Sequence, residues 1–308
     1  MRVELAHITD LHLPTPPVRP AELLGKRILG WLSWRLRRRR AHRQEALAAV
    51  MADVRERLRN APDRSMLVIS GDLVNISTRA EFARARRWLE QAGEPSSVLF
   101  VPGNHDMYVE DALAAGLPTL SPWMTGTATQ APATALPPFP LVRQVRNVAL
   151  IGLNSAYAAP WREASGMLDE AQLQRLEQVL RDTAAKGFCR VVVVHHPPLV
   201  ELGANKPRKA LKNAAALEEV LTRAGAELVL FGHTHRWGLA RRALPGGGAM
   251  HVLSAPSASM MPGHDRPAAG WQHIAIERRE GHWRIEVERR ALGEGGAMRR
   301  RELLALEA

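Results

Sequence analysis

The chain has a single cysteine, Cys189, among 308 residues. No internal disulfide can form, and a small scaffold held by disulfides is excluded. Cys189 opens a Val-rich run, where a buried, inert thiol is expected, consistent with a reducing compartment. No stretch approaches the roughly 20 apolar residues of a membrane span. The first ten residues show no basic start, long apolar stretch or small-residue cleavage site, so a cytoplasmic location is expected. There is no internal repeat. There is also no stacking array of aromatics or recognisable nucleic-acid module, which argues against nucleic acid as a partner. What remains is ordinary for a globular chain, 46% hydrophobic and 24% charged, and long enough to bury a sizeable core.

One further absence is local. Between Lys26 and Arg43 there is no acid, but there are eight bases: Lys26, Arg27, Arg35, Arg37, Arg38, Arg39, Arg40 and Arg43. That segment accounts for most of the net charge of +11, so the basic excess belongs to one element and not to the whole surface.

Apolar runs at 2–8, 66–70, 97–101, 148–153, 190–194 and 227–231 read as strands buried on both faces. Helical periodicity lies between them at 43–59, 79–92, 169–185 and 213–224, the last closed by Ala224-Gly225. This alternation predicts an α/β core. After Gly232 come short strands at 237–244, 249–254, 271–278 and 282–290, separated by glycine turns and expected to form an antiparallel run closing a second sheet. Residues 13–42 read as a Pro-rich turn followed by a basic amphipathic helix. Residues 117–140 read as a long loop, and 292–308 as a tail with a short surface helix.

Most strands are followed by a cluster of potential metal ligands: Asp10-x-His12, Gly71-Asp72, Gly103-Asn104-His105-Asp106, His195-His196-Pro197 and Gly232-His233-Thr234-His235. Loops at the carboxyl ends of strands are where α/β folds carry function. Oxygen and imidazole donors without thiolate favour Mn, Fe or Zn ions. Taken singly, Asp10 reads equally as a helix cap or turn residue, Asn104 as a turn residue, and His195 as a satisfied core histidine. The ordered set is what carries the metal reading. His7, His42, His251, His264, His273 and His282 have no matching spacing and are expected to be structural or on the surface. His264 is the least settled of these, because the 257–270 loop can return towards the site.

Over roughly residues 1–290, this ordered set resembles the calcineurin-like metallophosphoesterase superfamily. The resemblance implies an αββα four-layer sandwich with two mixed β-sheets and a dinuclear metal site at the sheet edge, here as a single domain over 1–308. It implies Asp10, His12 and His235 as ligands of a first metal ion, Asp72 as the carboxylate shared by two divalent ions, and Asn104, His195 and His233 as ligands of the second. His195 is preferred to His196 as the ligand. His105 is implied beside the phosphorus, where, if protonated, it would stabilise the developing charge or donate to the leaving group, with Asp106 orienting it. The reaction implied is attack on phosphorus by a hydroxide bridging the two ions.

Departures from the family patterns narrow the branch. The tyrosine that purple acid phosphatases carry three residues after the shared aspartate is replaced here by Asn75. The G-D-x-V-D-R-G and G-N-H-E signatures of phosphoprotein phosphatases are also missing. The chain is closer to the small phosphodiesterase branch. Lipid A precursor pyrophosphatases lie near that branch but commonly carry arginine where this chain has His105.

Within residues 22–43, Leu24, Ile28, Trp31, Leu32 and Leu36 fall near one helical face. Trp31 and Trp34 suit a membrane interface, and bases mixed with Trp and Leu are the composition of interfacial helices. The segment follows the first ligand loop directly, so it is expected over the mouth of the site and peripheral to an anionic membrane surface. A capping helix with solvated arginines is the plainer alternative. His196 reads either as touching substrate or as support behind the ligands, and Arg208 and Lys209 are candidates for a substrate phosphate or headgroup on a loop that otherwise reads as solvated. Three functions stay open: hydrolysis of a phosphodiester or phosphoanhydride, including one on a lipid-linked substrate; a soluble cyclic-nucleotide phosphodiesterase; and a membrane- or nucleic-acid-binding protein with a vestigial site.

Overall fold

A computed structural model describes residues 2–127, 134–203, 205–262 and 266–308. Twelve strands form two six-stranded mixed sheets. In the first sheet, β1 (Arg2–Ile8) pairs in parallel with β2 (Ser65–Ile69), and β2 with β3 (Val98–Phe100). On its other edge β1 pairs antiparallel with β10 (Gly270–Arg279), followed by β11 (His282–Leu292) and β12 (Met298–Glu307). In the second sheet, β4 (Leu141–Val145) is antiparallel to β5 (Val148–Gly152), and β5, β6 (Cys189–Val193), β7 (Leu228–Phe231) and β9 (Ala249–Ser254) run parallel. The strand β8 (Gly238–Ala243) closes that sheet antiparallel to β9.

Side chains alternate across a strand, and that alternation sorts the second sheet into two cores. Leu150, Val191, Val193, Leu228 and Leu230 face inward and share a core with β1, β2 and β3. Ile151, Val192, Val229 and Phe231 face outward, under the helices Glu170–Ala185 and Ala214–Ala224. The helix Gln44–Leu58 packs on β1, β10, β11 and β12, and Arg79–Ala92 buries Phe82, Ala85 and Leu89 in the inner core. The layers are therefore helix, sheet, sheet, helix. Continuous apolar runs mark the central strands because those strands are covered on both sides.

Three expectations are corrected here. The segment after Gly232 does not close one sheet: β8 and β9 join the second, while β10 and β11 cross back to pair beside β1. The tail is no surface helix but the edge strand β12, paired along β11. The loop expected at 117–140 contains a 3-10 turn at Leu117–Leu120 and a short helix at Ser121–Thr125; part of it, 128–133, lies outside the described residues.

The segment 13–42 is helical from Lys26. The helix Lys26–Ser33 passes through a wider π turn, Trp34–Arg38, into a last turn, Arg39–Ala41. It is bolted to the body by Arg27, which donates to the carbonyls of Ile76 (3.1 Å) and Ser77 (2.7 Å) and forks onto the Asp111 carboxylate. Gly30 lies so close to Ile76 and Tyr108 that a Cβ there would come within 2.6 Å of the isoleucine. The apolar face is largely exposed, at Leu24 (73%), Ile28 (42%) and Leu36 (67%). Trp34 corrects the interfacial reading: it is buried and stacks near His42. Among the described residues no helix is long and apolar enough to cross a membrane.

Candidate metal centre

The ends of β1 and β2 continue as paired loops. Asp10 N–H donates to the Gly71 carbonyl and His12 N–H to that of Asp72, each at 3.0 Å. Positive φ angles at Asp10, His12, Asp72, His233 and His235 turn these side chains to one side of the sheet edge. Such angles are uncommon for residues other than glycine and tend to collect at functional sites. Gly103 allows a close approach at the third loop: a Cβ there would lie 2.3 Å from Asp72 Oδ1. Buried Glu81 braces the loop after Asp72. Its carboxylate accepts the N–H groups of Asn75, Ile76 and Thr78, the last as part of a capping box.

Two sets of donors meet at Asp72. On one side, His235 Nε2 is 3.0 Å from Asp10 Oδ1, and His12 Nε2 lies 4.0 Å from Asp10 Oδ1 and 3.8 Å from Asp72 Oδ2. On the other, His195 Nε2 lies 3.5 Å from the same Asp72 oxygen and 3.1 Å from Asn104 Oδ1. His233 Nδ1 lies 2.9 Å from Asn104 Oδ1 and 3.3 Å from His195 Nε2. His195 turns its other nitrogen, Nδ1, onto the Ser70 carbonyl at 2.7 Å. That bond leaves the Nε2 lone pair for the centre, the usual outer support of a ligating histidine. All seven residues expected as ligands therefore converge, three with Asp72 on one side and three on the other.

The remaining expectations divide. His105 is stacked on Tyr108 (ring centroids 5.5 Å apart), with Nδ1 2.6 Å from the Asn75 carbonyl and Nε2 3.1 Å from Arg38 Nη1. Burial and then Arg38 hold it down to about 3, so it is neutral, with its proton on Nδ1. The proton-donating role, which is conditional on a protonated ring, is not supported by this geometry. Asp106 does not orient that ring, which corrects an expectation, since both ring nitrogens are taken by other groups. Its carboxylate instead accepts four backbone N–H groups, from Asp72, Leu73, Val74 and Gly103. Burial and the nearby Asp72 push its acid up to about 7, against the pull of those donors. His196 is fully buried, with Nδ1 2.8 Å from Ser155 Oγ, and does not line the cavity. Of the two readings held for it, substrate contact and support, burial beside His195 and His233 favours support. Arg208 is exposed and outside the cavity lining, whereas Lys209 lines it.

Three residues of the site carried no motif. Arg38, on the basic segment, places Nη2 2.9 Å from His12 Nε2 and 3.0 Å from Nδ1, lying against the ring and not at one lone pair. Arg266 enters from the 257–270 loop, and His42 lies against His12 with ring centroids 4.6 Å apart. The signals in the sequence were the attachment of a basic segment directly after the first ligand loop and, for Arg266, the 257–270 loop able to return towards the site. His264 lies outside the described residues. The resulting cavity, of about 690 Å³, is lined by Arg37, Arg38, Lys209 and Arg266 above Asp72, Asn104, His105, His233 and His235.

The electrostatics suit cations. Burial alone would raise the Asp10 acid, but His235, His195 and His233 outweigh it and hold it well below the usual carboxylate range. His195 is raised to about 9: burial opposes this, and Asp72 and Asp10 overcome it. Burial keeps His12 and His233 well below their ordinary value, and lowers His235. Asp10 Oδ1 accepts no hydrogen bond although His235 Nε2 is 3.0 Å away. Two donor atoms converging with no proton aligned between them are what a shared ion explains. Oxygen and imidazole donors without thiolate fit a hard or borderline divalent ion, and several groups of these side chains lie close enough to hold one.

Comparison with known proteins agrees with this geometry. A family model described as calcineurin-like phosphoesterase matches residues 3–237. A protein of Synechococcus sp. named as a probable cyclic nucleotide phosphodiesterase is 26% identical over 289 residues, covering 93% of this chain and 92% of its own. A dimetal phosphatase from Danio rerio superposes with a TM-score of 0.58 at 15% identity, over 99% of this chain and 98% of its own, a likeness of fold alone.

Proposed function

The chain belongs to the calcineurin-like phosphoesterase family and is a metal-dependent phosphoric ester hydrolase; from that premise we propose that it cleaves a phosphodiester or phosphoanhydride joined to an apolar group, at an anionic membrane surface. Asp10, His12 and His235 would hold one ion, Asn104, His195 and His233 a second, and Asp72 both. When bound, two such ions supply Lewis acidity towards the phosphoryl group and acidify water enough for it to act as a nucleophile near neutral pH.

The other groups bind and orient. Arg38, Lys209 and Arg266 supply positive charge to the non-bridging oxygens, and Arg38 is the cation nearest His105. Neutral His105 keeps its proton on Nδ1, towards Asn75, and accepts from Arg38 at Nε2, which orients that guanidinium at the cavity. Asp106 holds the Asp72 and Gly103 loops together from below.

The observation that carries the substrate reading is the two-sided basic segment. Arg38 reaches the imidazoles of the centre, while Leu24, Ile28 and Leu36 of the same segment are exposed. A polyanionic head with an apolar tail matches both, and each base near an anionic leaflet contributes roughly 1 kcal/mol. The test pairs two assays. Mn²⁺-loaded protein is offered bis(p-nitrophenyl) phosphate, cyclic nucleotides, glycerophosphodiesters and nucleotide-linked lipids, and co-sedimentation with anionic liposomes is measured before and after neutralising Arg37–Arg40. Preference for the nucleotide-linked lipid, with salt-sensitive liposome binding, supports the proposal; no liposome binding at low salt removes the membrane part. A second reading, cyclic-nucleotide hydrolysis, is favoured by the name of the Synechococcus relative, and preferential turnover of cyclic nucleotides would establish it instead.

A further inference from the structure

Resting on the two-ion reading above, we infer that His42 supplies a third imidazole to the ion held by Asp10, His12 and His235. Its sequence context offers no metal motif, and the plain alternative is a satisfied core histidine. The geometry points away from that alternative. His42 Nδ1 lies 2.8 Å from Ser259 Oγ and 3.3 Å from Ser257 Oγ. Ser257 gives its own hydroxyl proton to the Asp10 carbonyl at 2.6 Å, so towards His42 it is an acceptor. With Ser257 an acceptor and Ser259 able to accept as well, Nδ1 can carry the proton of a neutral His42 and leave the lone pair on Nε2. Among the described residues Nε2 has no partner, and one nitrogen bonded to an outer group with the other bare is the arrangement of a ligating histidine.

The bare nitrogen has a destination. Ligand atoms of His12, His42 and His235 all lie within 4.8 Å of one another. An imidazole bound at roughly 2.1 Å has its ring centroid about 3.2 Å from the ion, so two ligands at 90–120° have centroids about 4.5–5.5 Å apart. The three separations are 4.6 Å (His12–His42), 5.3 Å (His12–His235) and 5.6 Å (His42–His235). Two of the three separations fall within that range and the third lies just beyond it, close to the spacing of three ligands of one ion.

The backbone is fixed to match. His42 bridges to Met260, Arg43 N–H donates to the Ser259 carbonyl at 2.9 Å, and Met261 N–H to that of Ala41 at 2.8 Å. The end of the basic segment is thus clipped to the loop that also holds Asp10. Arg38 stands one helical turn earlier and its carbonyl accepts the His42 N–H at 2.8 Å. An ion bound through His42 would tie the basic segment, with Arg38, to the metal centre.

Two measurements test this. The first is Mn²⁺ uptake by equilibrium dialysis for the wild type and His42→Gln. The expected result is two ions on the wild type, and one ion held at least about tenfold more weakly on the variant, with the other unchanged. The second is a crystal structure of the Mn²⁺-loaded wild type, which keeps the inference open to test even if the variant does not fold; His42 Nε2 is expected within about 2.3 Å of the ion. Two ions bound equally well by the variant, or His42 Nε2 more than about 3 Å from the ion, overturns the inference and leaves the two-ion reading standing. Fewer than two ions on the wild type overturns the two-ion reading, and the inference with it.

Discussion

Replacing Asp106 with asparagine separates two accounts of the same buried carboxylate. In one, suggested by sequence resemblance, it orients a catalytic histidine. In the other it pins the loops that carry the metal ligands. The hydrogen bonds favour the second. One oxygen accepts Asp72 N–H and Gly103 N–H, both at 2.8 Å, and the other accepts Leu73 N–H at 3.0 Å and Val74 N–H at 3.1 Å. An amide has only one oxygen, so whichever way it is turned, two backbone donors face an NH₂ group. The site is fully buried, and each donor left unsatisfied costs about 1–3 kcal/mol. Asp106→Asn is therefore expected to lose about 2–6 kcal/mol, a fall in Tm on the order of 5–10 °C. Because Asp72 and Gly103–Asn104 shift together, Mn²⁺ affinity should drop for both ions. Thermal denaturation with and without Mn²⁺, together with metal titration, makes the measurement. A variant with unchanged Tm and full metal uptake, slow only in kcat, would refute the pinning account and restore an orienting role.

Three further outcomes follow from the same structure. Gly103→Ala would place a Cβ 2.3 Å from Asp72 Oδ1 and 2.8 Å from His195 Cε1; metal counting should show loss of at least one ion, and normal uptake would contradict the crowding argument. Arg190 and Glu227 form a buried fork, with Nε–Oε2 at 3.0 Å and Nη2–Oε1 at 2.5 Å. Glu227→Gln should cost about 3–5 kcal/mol in urea denaturation while leaving turnover per folded molecule intact; a loss below about 1 kcal/mol contradicts this. His7, bonded to Gln272 and Ser70, is lowered by burial from 6.5 to about 4. The unfolded chain therefore takes up its proton first, and stability falls by about 3 kcal/mol as pH drops from 6.5 to 4. His7→Gln should flatten that slope in the metal-free protein, and an unchanged slope would show that other groups set it.

How much was legible in the sequence depended on how local each cause was. The parallel strands stood out because Val, Ile and Leu run unbroken where both faces are covered, as at Val191–Val194. The helix Arg79–Ala92 could be bounded from its own periodicity, and Thr78 and Glu81 cap its start within four residues. Strands whose partners lie far away were harder. The edge strand β12 runs from a charged stretch, Arg299–Glu302, into Leu303, Leu304 and Leu306, a pattern that also suits a helix, and only its pairing with β11 decides between them. The destination of β10, beside β1 at the other end of the chain, leaves no local mark. In the site, the seven expected ligands follow strands in motifs with fixed spacing, so their convergence could be anticipated. Arg38, His42 and Arg266 reach it on segments with no such spacing, and Trp34 looked interfacial because burial under a helix is a tertiary property.

The same distinction bears on substrate. A cavity that only had to hold a single phosphodiester charge above two ions would gain little from further cations. Here Arg38 is lowered by burial and by Arg266, against the pull of Asp72 and Asp10, and Lys209 by burial and then by Arg266, Lys206 and Arg38. These groups repel one another at the mouth, and among the described residues Asp72 is the one carboxylate in the cavity lining. Like charges gathered together are a cost to the folded state that an anionic ligand would relieve. The relief grows with the charge of the ligand, so under the proposed function a pyrophosphate-type group would gain more from this mouth than a cyclic monophosphate. Two of the arginines lining that mouth, Arg37 and Arg38, belong to the segment with the exposed leucines, so recognition of charge and of an apolar tail would be built into one element.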